Sequence, residues 1–242
     1  MSATPSRDAV SAAPSAGRGR LAGFTLIELL VVIAVVALLV SLAMPVVNQA
    51  LHSASKAACT NQLKQIYTAF QGYITQYDFR SHRAPNYGMW EKPLGTILAP
   101  SNTYAYWGVA YAPYLGNNRE VFRCPSALTM WQTTGYADWE NQPQATYGLN
   151  YFVSNKVIPA KFRKPSNTIL AQDAYEHLIE GNGDLLSIRA GDSINLTQWR
   201  HIPGSVYEYF RHNDNCNLVW LDGHATAVFH CNDYPIEHYT GK

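Results

Sequence analysis

The sequence predicts an α+β protein, one long N-terminal helix packed on an antiparallel β-sheet, and three observations carry that reading. From Phe24 to Val47 the only polar side chains are Thr25, Glu28 and Ser41, and beyond that run Cys59, Leu63, Ile66, Phe70, Tyr73 and Tyr77 recur at alternating spacings of four and three, the signature of an apolar helix stripe. Four short runs, at 146–153, 167–173, 217–221 and 225–229, have strand length and β-branched or aromatic content. The last two flank Asp222-Gly223-His224, whose Asp and Gly suit a hairpin turn.

Taken in order, residues 1–23 form an Ala-, Ser-, Pro- and Gly-rich leader with Arg7, Arg18 and Arg20 against the single acid Asp8. The 24 positions of residues 24–47 make a helix of about 36 Å at 1.5 Å per residue, enough for a bilayer core of about 30 Å. The arginines place the N-terminus in the cytoplasm and the C-terminal body across the membrane. Pro45 removes one backbone donor and frees the Ser41 carbonyl. Residues 48–79 continue as an amphipathic spine with Asn61, Gln62, Lys64, Gln65 and Gln71 on the polar side, and Phe79-Arg80-Ser81 ends it. Residues 80–242 form a β-rich globular domain. Its stretch 80–165 is rich in turn signals, with loops, short strands and a short helix expected near 107–115.

Glu28 is out of place in this scheme. An ionised carboxylate at bilayer depth costs on the order of 2.5 kcal/mol or more, so Glu28 either lies near enough to the cytoplasmic interface to escape that cost or needs a named partner. The stretch "GFTLIE" followed by an apolar run resembles the class III signal of type IV prepilins and type II secretion pseudopilins. The resemblance implies that a prepilin peptidase cuts after Gly23 and methylates Phe24. It also implies that Glu28, the fifth residue of the mature chain, pairs with the amino terminus of a neighbouring subunit. Pro45 fits the family as well. Pairing makes a buried carboxylate and a buried ammonium tolerable together where either alone is costly. An ordinary secretory signal, cut near Ser41-Leu42-Ala43, fits less well, because its apolar core is shorter and carries no acid.

Composition narrows the function further. The chain is 47% hydrophobic and 14% charged, consistent with one globular domain beyond the membrane helix. Removing three arginines and one aspartate from 18 basic and 17 acidic residues leaves 15 and 16, a net of −1, which points to no nucleic-acid partner. Aromatics make up 12%. Tyr104, Tyr106, Trp107, Tyr111, Tyr114, Trp131, Tyr136 and Trp139 crowd the 87–151 insert. They read either as packing for a loop-rich domain or as a stacking surface for polysaccharide, the basis of an alternative in which the helix tethers a glycan-binding module.

Cys59, Cys124, Cys216 and Cys231 fall on the oxidising side of the membrane, where two disulfides are expected. Three pairings are open; Cys216 with Cys231 across the hairpin and Cys59 with Cys124 is a plausible set. His212 is followed by nine residues and then Asp222-Gly223. Together with "CTNQLKQIYTAF", "FRCPS", "TYGLN" and "KPSNTILAQD", this resembles the H-X9-DG domain that accompanies prepilin-type signals in pilin-like proteins. The motif reads first as structural, spanning a hairpin at 212–230. A metal reading gathers His212, Asp222, His224 and His230 with Cys216 and Cys231, but matches no zinc spacing. Asp214, Asn215, Asn217, Asp222 and Asp233 offer oxygen ligands for calcium. A hydrolase would need Ser205 or Ser187 with His212 and Asp173, and no G-x-S-x-G elbow marks either serine.

The expected protein is therefore a structural, non-enzymatic subunit of a type IV pilus-like or type II secretion pseudopilus filament, needing no cofactor. Its expected location is the inner membrane, single-pass, with the domain in the periplasm or on an extracytoplasmic filament. Its partners are the prepilin peptidase/methyltransferase and other copies of itself or related pilins.

Overall fold

The computed structural model describes residues 24–82, 91–92, 96–97, 107–127, 146–154, 157–174, 178–179, 186, 205–229 and 236–241. The chain divides into two compact units, residues 1–47 and 48–242. In the first, every described side chain is exposed, including Leu26, Ile27, Leu39, Leu42 and Met44, as expected of a helix whose solvent is lipid or another apolar helix. It is the one stretch among the described residues long and apolar enough to cross a membrane.

Helix α1 runs from Leu26 to Gln76 and passes through Pro45 without a break. Within the second unit it buries Cys59, Leu63, Ile66, Ala69, Phe70 and Ile74, the predicted stripe with Ala69 and Ile74 added, Tyr73 only partly buried and Tyr77 left half exposed. The helix stops because Asp78 and Phe79 take positive φ, 52° and 55°, and the Phe79 N–H bonds back to the Ile74 carbonyl at 2.7 Å, closing the end in the manner of a left-handed cap.

Seven strands follow among the described residues. β1 (Glu91–Lys92) and β2 (Thr96–Ile97) form a two-stranded ribbon. β3 (Tyr147–Asn150), β4 (Ile169–Asp173), β5 (Leu178–Ile179), β6 (Asn215–Trp220) and β7 (Ala225–Phe229) form one sheet in the order β5-β3-β4-β6-β7. All pairings are antiparallel except β3 with β5, which run parallel at the edge. The stretch 107–115 forms two 3-10 turns, Trp107–Ala110 and Ala112–Leu115, in place of the expected helix. Pro113 removes a donor, and Gly116 at φ 63° ends the second turn.

Both faces of the sheet are covered. On one side Leu63, Ile66 and Phe70 of α1 pack with Trp107, Tyr111, Phe122, Tyr147, Leu149, Val219 and Leu221. On the other, Ile169, Leu218 and Trp220 pack with Tyr209, Phe210 and Tyr239, contributed by helices α2 (Ser205–Tyr209) and α3 (Glu237–Thr240) and the residue after α2. Double coverage explains why β4 and β6 read as continuous runs and not as alternation.

The expected glycan-stacking surface fares differently by residue. Trp107 and Tyr111 are core, at 1% and 0% exposure, so their ring faces are spent on Phe70 and Phe122. Tyr114 is half-buried against α1. Tyr104, Tyr106, Trp131, Tyr136 and Trp139 lie outside the described residues.

Candidate functional site

The N-terminal motif folds as a reciprocal cap. Thr25 donates its backbone N–H and its hydroxyl to Glu28 Oε2, both at 2.8 Å, while the Glu28 N–H reaches Thr25 Oγ1 at 3.3 Å. This is a capping box, Thr-x-x-Glu, which satisfies orphan donors at the start of α1. The signal is plain in "TLIE", yet sequence reasoning assigned Glu28 only to a partner chain. Both cap bonds use one carboxylate oxygen, so the other is left for a second donor. Gly23 lies outside the described residues.

His212 and Asp222 do not share a site. They stand at opposite ends of β6, whose six residues extend about 20 Å at roughly 3.3 Å each. Ahead of β6 the chain reverses through Asn213 and Asp214, at φ 53° and 57°, with His212 and Asn215 exchanging backbone bonds at 3.3 and 3.2 Å. Positive φ at both central residues is the hairpin geometry that Asn and Asp accept; this second turn was missed in "HNDN".

At this end His212 is buried, its Nε2 3.4 Å from Cys124 Sγ and 3.5 Å from Asp173 Oδ2. Burial, reinforced by Arg211, Lys56 and His52, lowers its pKa to about 4, so the ring is neutral at physiological pH. Beside it, Arg211 donates from Nη2 to the carbonyls of Thr146 and Ala174 at 2.7 and 3.1 Å. Its other nitrogens face Asp173 at 3.7 Å and Glu208 at 3.3 Å. Asp173 Oδ2 accepts the Asn217 N–H at 2.7 Å. Burial raises the Asp173 pKa to about 7, outweighing the opposing pull of Arg211 and the Asn217 N–H. Cys59 and Cys124 are disulfide-bonded, with Cα atoms 5.2 Å apart. The arginine of "RH" thus bolts the start of β6 to its neighbours, a role the sequence analysis did not assign.

At the other end Asp222 Oδ1 accepts the His224 N–H at 3.1 Å and approaches His224 Nδ1 at 2.6 Å, and the His224 ring stacks on Trp220. Gly223 has φ 94°, and a Cβ there would lie 2.4 Å from the Tyr67 ring of α1. Gly223 is therefore required twice, by the turn and by the approach of the helix. Gly223→Ala should destabilise the domain by on the order of 2 kcal/mol, from left-handed strain plus displacement of Tyr67. Thermal unfolding followed by circular dichroism in detergent reads this, and an unchanged midpoint would remove the argument.

Among the described residues the broader ligand sets are not assembled. The calcium oxygens split between the two ends of β6, with Asp214 at one and Asp222 at the other; the Asn215 amide nitrogen donates to the carbonyls of His212 and Asn213, and Asn217 is buried. His230, Cys231 and Asp233 lie outside the described residues. The expected Cys216–Cys231 disulfide is corrected: Cys216 is a free, buried thiol that contacts the Asp173 carbonyl at 3.5 Å, and the register sets Val228 opposite it. Burial pushes that thiol well above its ordinary pKa. Of the hydrolase trio, Asp173 and His212 do meet, but the sulfur beside His212 is held in a disulfide and is no nucleophile. Ser187 lies outside the described residues.

Comparison with curated proteins and with solved structures finds no match to the chain. Residues 18–44 match the family described as Prokaryotic N-terminal methylation motif, so the capped start of α1 carries a prepilin-type signal and the chain is pilin-like in both signal and fold.

Proposed function

We propose that this chain is a structural filament subunit, processed after Gly23 and assembled through α1 into a type IV pilus-like or pseudopilus fibre. The observation that carries the reading is the prepilin-type signal at 18–44 joined to a single helix, Leu26–Gln76, that is apolar in its first half and the spine of a domain in its second. Cleavage turns the Phe24 amide nitrogen into an amine, and methylation keeps that nitrogen basic. In a filament the amine of one subunit neutralises Glu28 of the next through the oxygen that the Thr25 cap leaves open. Each buried ion then has a partner. Pro45 supplies a point in the packed helices where one backbone bond is missing.

His212, Asp222 and Gly223 serve the fold in this scheme, holding the two ends of β6 to the disulfide and to Tyr67. The chain sits in the inner membrane with its N-terminus cytoplasmic before assembly, and its partners are the prepilin peptidase and further pilin-like chains. The core position of Trp107 and Tyr111 weighs for this structural role over glycan display. Chemical cross-linking of membranes from the native host should give a ladder of chain multiples; a monomer band alone would contradict assembly.

A further inference from the structure

The disulfide lies in a group of donor atoms that would also suit a metal. Cys59 Sγ, Cys124 Sγ and His212 Nε2 all lie within 4.8 Å of one another and all three residues are buried. A fourth donor, Asp173 Oδ2, is 3.5 Å from the same imidazole nitrogen, on a fully buried residue. Its other oxygen has no hydrogen-bond partner and faces Arg211 Nε at 3.7 Å.

Zinc–ligand bonds of about 2.3 Å to sulfur and 2.0–2.2 Å to nitrogen and oxygen, arranged tetrahedrally, set S···N near about 3.6 Å and N···O near about 3.4 Å. The observed spacings are 3.4 Å for Cys124 Sγ to His212 Nε2 and 3.5 Å for His212 Nε2 to Asp173 Oδ2. The sulfurs are bonded to each other and would open to about 3.8 Å; Asp173 is not among the donors that lie within 4.8 Å of one another, so its carboxylate would turn from His212 toward them to complete the tetrahedron.

We propose that Cys59, Cys124, His212 and Asp173 bind one zinc-class divalent ion when the cysteines are reduced, so that metal and disulfide are alternative staples at one site. A dithiol reductant supplies the change of state. Its two thiols give two electrons and two protons to the disulfide, leaving two protein thiols and a cyclic disulfide on the reductant. The ion then displaces the two thiol protons. Two thiolates, an imidazole and one carboxylate form a set that selects zinc over calcium or magnesium, whose sites are built from oxygen. Arg211, beside the outer oxygen of Asp173, orients that carboxylate as an outer partner does at established metal sites. This inference is independent of the filament reading, since it concerns the domain alone.

The test uses the full chain in detergent, reduced anaerobically with a dithiol, exchanged into dithiol-free buffer and titrated with Co²⁺. One Co²⁺ per reduced chain is expected, with thiolate-to-cobalt charge transfer and tetrahedral visible bands, loss of both on adding Zn²⁺, and no binding by the disulfide form. His212→Ala should weaken Co²⁺ by more than about 100-fold, beyond the cost of losing an outer partner. Because that variant can misfold, zinc-edge X-ray absorption of the unmutated reduced chain supplies a second readout, with two sulfurs and two nitrogen or oxygen ligands expected. Failure of the reduced chain to bind, equal binding by the disulfide form, unaltered affinity in a folded His212→Ala chain, or a zinc shell without sulfur would each overturn the proposal.

Discussion

Replacing Glu28 by alanine is expected to leave cleavage after Gly23 largely intact while removing the chain from assembled filaments. The asymmetry follows from where the carboxylate is needed. In the single chain it costs on the order of 2.5 kcal/mol at bilayer depth, and its cap on Thr25 returns only about 1 kcal/mol. The alanine variant should therefore sit in the membrane at least as comfortably as the original. In a filament the methylated Phe24 amine of the neighbour would lose its counter-charge, and breaking one side of a buried ion pair costs roughly 3–5 kcal/mol. At about 1.4 kcal/mol per factor of ten, incorporation should fall by at least about a hundredfold. Quantitative immunoblotting of sheared filaments against membranes measures it. Thr25→Ala separates the two roles, because it removes only the hydroxyl contacts of the cap, keeps the carboxylate, and should reduce incorporation far less. Normal incorporation of Glu28→Ala would remove the pairing argument.

The second large effect is on the domain. The Cys59–Cys124 disulfide closes a 65-residue separation and joins α1 to the loop that follows the Arg119–Phe122 turn. The Cys59→Ala, Cys124→Ala double variant should lose roughly 4 kcal/mol on the chain-entropy account. For a domain of this size that is about 10 °C in Tm. Unfolding should be followed in detergent without reductant, so that the unsubstituted chain keeps its disulfide. Cys216→Ala is the control, since its thiol contributes packing and weak contacts to backbone carbonyls and should cost far less. A double variant within about 1 kcal/mol of the original would mean that packing around Tyr147 and Phe122 holds the helix to the sheet without the bond.

How much of this was legible in the sequence varies with the range of the interaction. Strand β7 falls where the pattern put it, at 225–229, because its ends are marked by local turn chemistry and pattern. The buried stripe of α1 was readable for the same reason, since helical period is a local property. Gln62 shows the limit. It was placed on the polar face, yet its side chain accepts the Tyr147 hydroxyl at 2.6 Å and donates to the Glu120 carbonyl, and neither partner is near it in sequence. The need for Gly223 was half legible: the turn was visible, while the Tyr67 ring against it belongs to a helix some 150 residues earlier. The parallel β3–β5 edge and the second core under α2 and α3 gave no signal, because each comes from pieces of two to five residues whose pairing is tertiary. The fate of Cys216 was hidden for the related reason that counting cysteines does not say which face of a strand a thiol occupies. The Thr25–Glu28 cap and the Asn213–Asp214 turn were written in the local sequence and left unread.

The filament account stands most directly on the first residue of the mature chain. Mass spectrometry of the intact protein purified from its native host should find a chain shortened by the 23-residue leader, beginning at Phe24 and one methyl group heavier than the bare sequence. A chain that retains the leader, or one that begins just after Ala43, would contradict it.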